Sequence, residues 1–311
     1  MRYLDIYPQL HTSQLILGLM RINKLTAPAL DTLIQTALDL GINYFDLADI
    51  YGGRGRCETL FGELLKRQPD LRNKMVVQSK CGIVQDDDRR NIAFNFAKDY
   101  ILQSTDGILQ RLGIDQLDVL LLHRPDTLME PDEIAEAFNR LEAAGKVRYF
   151  GVSNFNRGTH ELLQSAVKQP LKINQLQFGP AFASLVDHSL RTNTHLTGSP
   201  DRDGEVLDYC RLQGITIQAW SPFQHGQIAG PFLNNPKFKE LSDVLAEVGA
   251  SHGLTATGAV SAWITRHPAR IQTVAGTTNP ARLTEIAAGI DVNISREEWY
   301  RIYTTLDRDL P

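Results

Sequence analysis

Only three cysteines, Cys57, Cys81 and Cys210, occur in 311 residues. The number is odd and no Cys-x-x-Cys spacing appears, so neither a disulfide framework nor a zinc site is supported. A reducing, cytoplasmic setting is the expectation. Long apolar runs are also missing. The run from Val119 to Leu122 is strand-sized, far short of the ~20 residues of a membrane span. Leu15 to Met20 is too short for a signal-peptide core. There is no cationic excess: 32 Lys+Arg face 36 Asp+Glu, a net charge of −4. That argues against a nucleic-acid surface, which shows as a basic domain. His188, His195 and His225 lack ligand spacing, and Asp201 to Glu205 lacks the full calcium-loop pattern, so no metal is expected. The charged run Asp86 to Arg90 reads as a solvated loop. Sequence repeats, low-complexity linkers and convincing boundaries are absent, so residues 1–311 read as one domain.

What is present is an alternation. Hydrophobic residues make up 42% and charged residues 22%, ordinary usage for a folded core. Eight short aliphatic runs recur: 15–18, 42–46, 75–80, 117–122, 147–150, 173–177, 215–219 and 271–275. Most are apolar throughout, as parallel strands buried on both faces are. Helix-like stretches separate them. Thr26 caps a segment with Leu30, Leu33, Ile34, Ala37 and Leu38 on one face, ended by Gly41. Pro131 opens another with Ile134, Ala135, Phe138 and Leu141 inward, ended by Gly145. A helix over 98–112 stops at Gly113, and one starting near Asn279 and Pro280 ends near Gly289.

Strand–helix alternation gives a parallel sheet with helices outside. It fits an open doubly wound sheet or a closed barrel. No Gly-x-Gly-x-x-Gly follows the first strand, which removes the usual fingerprint of the open dinucleotide-binding sheet. The expected class is therefore α/β, a (β/α)8 TIM barrel, with extra helices near 236–252 and 295–306.

Such a barrel does its chemistry where its strands end. The residues there are Asp46, Lys80, His123, Ser153 with Asn154, Gln175, Trp220 with Ser221, and Gly276 with Thr277. Tyr51 lies on the loop after Asp46. A tyrosine holds its proton at neutral pH, with an ordinary pKa of about 10, and a nearby ammonium favours the phenolate. Lys80 can supply the ammonium, Asp46 its counter-charge, and His123 a hydrogen bond to a carbonyl oxygen. The set suits protonation of an oxygen that gains negative charge, as in hydride addition to a carbonyl.

Taken together these segments resemble the aldo-keto reductase family over nearly the whole chain. Asp46 and Tyr51, five apart, resemble its Asp–Tyr signature. Lys80 before Cys81 and Gly82, and His123 before Arg124, Pro125 and Asp126, resemble its lysine and histidine motifs. The phrasing of these motifs is nearest to a bacterial subgroup of oxidoreductases with poorly defined substrates. The resemblance implies Tyr51 as general acid, Lys80 and Asp46 as its tuning pair, and His123 as orienter. It implies a nicotinamide cofactor laid across the mouth. Ser153, Asn154 and Gln175 would hold the carboxamide, and Trp220, Ser221 and Pro222 would lie against the ring. Gly276, Thr277, Thr278, Arg282 and Glu285 would meet the adenosine phosphate. Many members carry Lys where this chain has Gly276, which weakens the case for NADP over NAD, but Arg282 keeps NADP(H) ahead of NAD(H). The implied partner is a small-molecule carbonyl; oligomeric state is not readable.

Alternatives stay open at this level. Asp46 could cap a turn, Tyr51 could pack a Gly-rich loop, and Trp220 could be a core residue. Lys80 could form a Schiff base, as in lyases. The chain could also bind cofactor as a regulatory or redox-sensing subunit with little turnover.

Overall fold

The computed structural model describes residues 1–86, 88, 91–190, 205–225 and 229–306. Asp87, Arg89, Arg90, His195, Asp201, Asp203 and Gly204 from the sequence reading lie outside them. The eight expected runs form one closed parallel barrel. In chain order its strands are β1 (Leu15–Gly18), β2 (Tyr44–Asp46), β3 (Val76–Cys81), β4 (Leu117–Leu122), β5 (Val147–Ser153), β6 (Ile173–Gln177), β7 (Thr216–Trp220) and β8 (Ile271–Ala275). Each pairs with its chain neighbour, and β8 closes on β1 through Val274 and Ile16. Gly151 on β5 has a packing reason. A Cβ there would come within 2.7 Å of Leu121 and 2.9 Å of the Ile173 carbonyl, so two strands approach too closely for any side chain.

Helices α1 (Ala27–Asp39), α2 (Arg56–Arg67), α3 (Lys98–Leu112), α4 (Pro131–Ala143), α5 (Arg157–Gln164), α6 (Ser184–Leu190) and α7 (Val206–Gln213) follow the first six strands, two of them after β6. Then come α8 (Lys239–Ser251), α9 (Ala256–Arg266), α10 (Pro280–Ile290) and α11 (Arg296–Thr304). The expected faces are buried: Leu30, Leu33, Ile34 and Ala37 on α1, and Ile134, Phe138 and Leu141 on α4. The two extra helices are α8, entered through a short turn of helix at Pro236–Phe238, and α11. Ser295 and Glu298 close a capping box at the start of α11, which satisfies two backbone donors reciprocally.

Two antiparallel hairpins lie outside the sequence reading. Ile83–Gln85 pairs with Asn91–Phe94 just past β3. Tyr3–Tyr7 pairs with Leu10–Ser13 immediately before β1. Ile6, Tyr7 and Leu10 of the latter pack with Ile16, Tyr44, Val119, Leu121, Ile173 and Val274 inside the barrel. This hairpin closes the end where the strands begin and leaves the other end as the mouth. No helix among the described residues is long and apolar enough to cross a membrane.

Candidate functional site

Asp46 is the last residue of β2 and is 2% exposed. Lys80, fully buried on β3, faces it, with Nζ 2.7 Å from Oδ1 and 2.8 Å from Oδ2. The same ammonium donates to the Leu47 carbonyl at 2.6 Å and to the Tyr51 hydroxyl at 3.0 Å. All three ammonium protons thus have acceptors, which a buried charge requires. The His123 ring meets Tyr51 edge-on, with centroids 6.0 Å apart. The turn after β2 places Tyr51: its N–H bonds the Ala48 carbonyl, and its carbonyl accepts from Cys57 at the start of α2.

Electrostatics set the resting protonation. Burial alone would push the Lys80 ammonium down; the Asp46 carboxylate and Tyr51 more than reverse this, and its pKa stands above the usual value. Burial raises the Tyr51 phenol, Lys80 opposes it, and the net direction is up. The ammonium alone would lower it, and burial, the larger influence, reverses the sign expected from the residue types. His123 is held well below its usual range by burial and then by Lys80 and Arg124. At neutral pH the site therefore holds a phenol, an ammonium and a neutral imidazole around Asp46. Imidazole Nδ1 is enclosed without a partner.

Beneath this group runs a chain of buried amides. Gln78 and Gln175 both donate to Asp46 Oδ1, at 2.6 and 3.2 Å, and to Gln218 Oε1, at 2.8 and 3.1 Å. Gln218 donates to Gln272, and Gln272 to Thr12 and the Ser13 carbonyl of the N-terminal hairpin. Tyr44 donates to Gln78 at 2.9 Å. Asp46 is thereby held from below by two amides and from above by Lys80.

An elongated cavity of about 650 Å³ opens above the group. Asp46, Tyr51, His123, Ser153, Asn154, Gln175, Trp220, Ser221, Pro222, Gly276, Thr277, Thr278 and Arg282 all line it. Lys80 lies beneath, reaching it through Tyr51. Glu285 does not line it: its carboxylate accepts from Thr255 at the start of α9, and Ile286 takes the cavity side instead. One helical residue further keeps closer to the face of Arg282, four positions apart rather than three. Asn154 sits at φ 62° and Ser221 at φ 47°. Such left-handed non-glycine backbone is costly and clusters at functional sites. Asn154 bridges its neighbours, donating to Ser153 at 2.8 Å and accepting from the Trp220 indole at 3.2 Å.

At the far end, sequence reasoning missed Arg21. Its guanidinium donates to the Gly276 carbonyl at 3.0 Å. A Cβ on Gly276 would lie 3.0 Å from that guanidinium, so a side chain at 276 would crowd Arg21. Arg21 and Arg282 thus both line the cavity where α10 begins, its first turn capped by Asn279. The cation missing at 276 is replaced in space by one from 255 residues earlier, a pairing that no local motif could signal. Among the described residues no group of three potential metal ligands occurs.

Residues 14–306 match the aldo/keto reductase family. The chain belongs to that family. The uncharacterized oxidoreductase YcsN of Bacillus subtilis (strain 168) is 34% identical, over the full length of both chains. A 6-dehydroglucose reductase of Agrobacterium fabrum is 33% identical, over 98% of this chain and 97% of its own. The solved structure of an aldo-keto reductase from Klebsiella pneumoniae, in complex with NADPH, is 20% identical with a TM-score of 0.76. It covers 97% of this chain and 93% of that one. That likeness bears on the fold, a (β/α)8 barrel. The family makes this aldo-keto reductase an oxidoreductase.

Proposed function

We propose that this aldo-keto reductase reduces aldehydes or ketones to alcohols with NADP(H), Tyr51 donating the proton. One observation carries the reading: the Lys80 ammonium, fixed by Asp46, reaches the Tyr51 hydroxyl at 3.0 Å on the wall of the elongated cavity. A bound nicotinamide would supply the hydride. The chain's own residues do the rest. Tyr51 keeps its proton at rest, because its pKa is raised, and yields it as negative charge grows on the carbonyl oxygen. Lys80 stabilises the phenolate left behind. His123, neutral, offers an N–H rather than a proton to the same oxygen.

Ser153, Asn154 and Gln175 would hold the carboxamide, and Trp220, Ser221 and Pro222 would flank the ring. Gly276, Thr277, Thr278 and Arg282 would meet the adenosine phosphate, with Arg21 as the second cation. Two guanidiniums beside a helix N-terminus favour a doubly charged 2′-phosphate, which is the argument for NADP(H) over NAD(H). The NADPH in the Klebsiella structure and the reductase activity in the name of the Agrobacterium relative support the same reading. The protonated state of Lys80 weighs against a Schiff base, which needs a free amine.

The test is a tryptophan-fluorescence titration with NADPH and, in parallel, NADH, followed by a carbonyl screen. Tight quenching by NADPH, with turnover lost by about 10³-fold in Tyr51→Phe but cofactor binding kept, is expected. Unchanged turnover in Tyr51→Phe would sink the assigned role. Equal weakening of NADPH and NADH in Arg21→Ala and Arg282→Ala would overturn the 2′-phosphate assignment.

A further inference from the structure

One charge at the mouth has no task in this reading. Arg124 follows His123 directly and lines the same cavity as Tyr51 and Trp220. It is half-buried, yet among the described residues no acidic side chain pairs with it. The acids near the mouth offer no free charge: Asp46 holds Lys80, Asp126 accepts from the backbone N–H groups of Phe96 and Leu128, and burial raises the Asp49 pKa to about 8. Its partner is an aromatic face: the guanidinium carbon lies 5.6 Å from the centroid of the Trp220 ring. Other partly buried arginines have polar partners: Arg21 and Arg266 donate to the Gly276 and Ile294 carbonyls, and two have acids. Arg72 pairs with Asp118 at 2.9 Å and Arg111 with Glu58 at 2.7 Å.

A guanidinium drawn out of water with its donors unfilled carries a desolvation cost that an arriving anion recovers. Burial already pushes the Arg124 pKa down, the mark of that cost. The Trp220 contact orients the planar fork but supplies no counter-charge. Lys80 has its own carboxylate, and the cations suited to cofactor phosphates, Arg21 and Arg282, stand at the opposite end of the cavity. Arg124 is therefore the uncompensated charge at the catalytic end among the described residues.

We infer that Arg124 reads a carboxylate on the substrate, so that the substrate class is carbonyl compounds bearing an acid group, that is, aldehyde or keto acids. The planar fork donates to both carboxylate oxygens, while Met20, Ile50 and Phe223 on the cavity wall offer apolar contact to the carbon frame. This rests on the reductase reading for the reaction, but not for the binding.

The experiment has two arms, run on wild type, Arg124→Met and Arg124→Lys, each first shown to bind NADPH. In the first, benzoate is titrated into the NADPH-loaded protein and followed by fluorescence. Wild type is expected to bind it at least about tenfold more tightly than Arg124→Met, with Arg124→Lys between them. In the second, turnover of 4-carboxybenzaldehyde is compared with that of benzaldehyde. The wild-type ratio of kcat/KM is expected to favour the acid by about tenfold or more, carried mainly by KM, and to fall toward one in Arg124→Met. Turnover of both aldehydes with no preference that depends on Arg124, or benzoate affinity indifferent to Arg124, would overturn the inference and leave the reductase reading standing. Benzoate binding that depends on Arg124, with neither aldehyde reduced, would support the carboxylate site and count against the reductase reading.

Discussion

The same strands line two regions of the barrel interior that obey different rules. Near the N-terminal hairpin, Ile16, Val119, Ile173 and Val274 close on Ile6 and Leu10 with aliphatic contact. Toward the mouth, β2 changes from Tyr44 to Asp46 and β6 from Ile173 to Gln175 within two residues, and the interior becomes a hydrogen-bonded lattice of Asp46, Lys80 and glutamines. The apolar region tolerates exchange of shape for volume. The polar region does not, because each amide satisfies another, and a half-satisfied buried network is worse than none. The first region is held by apolar packing and the second by hydrogen bonds and charge.

The sharpest way to break this contrast is Lys80→Met. It leaves Asp46 buried without its cation, at a cost of about 3–5 kcal/mol, and removes turnover as well; chemical denaturation and a carbonyl assay read both losses. Next comes Leu121→Ala in the apolar region, expected to cost about 2–5 kcal/mol while the NADPH dissociation constant moves little. Should cofactor affinity fall in step with stability there, the two regions are not separable. Gln218→Leu removes the amide that joins Gln78 and Gln175 to Gln272 and should cost about 1–3 kcal/mol. It should also shift the pH profile of kcat more than a cavity-forming change of equal cost, since it frees the amides that fix Asp46.

A pH effect rather than a lost contact concerns Asp49, beside the mouth. Burial, and then the Glu58 charge, raise its pKa from 3.8 to about 8, and one carboxylate oxygen lacks a partner. Between these two values the folded state holds a proton that the unfolded state has released. Stability should therefore fall as pH rises from about 4 to 8 and level off above. Tm measured across that window should decline in the wild type and be flatter in Asp49→Asn. A Tm rising through the window would reverse the sign.

Much of this was legible in the residue order. Most of the barrel strands are rich in apolar residues, and burial on both faces leaves that trace directly. Asp46, Tyr51, Lys80 and His123 were legible because strand ends converge in a barrel, so positions far apart in sequence share one mouth. The hairpins were not. Tyr3–Tyr7 mixes Asp5 among aromatics and shows neither clean alternation nor a run. Arg21 was invisible because its partner, the Gly276 carbonyl, is 255 residues away, and Arg124 because a lack of partners cannot be read from a motif. The sign of the Tyr51 shift was missed because burial outweighs a charge that sequence alone could name.

The amide chain from Thr12 to Asp46 has a consequence for proton traffic. Carboxamides pass hydrogen bonds but do not exchange their protons as water or imidazole does. The floor under Lys80 is thus an insulator, and the Lys80 ammonium is enclosed. Any phenolate formed at Tyr51 would then be refilled from the cavity side. Reprotonation and product departure would then share one route. A solvent isotope effect, if one appears, should follow the release step.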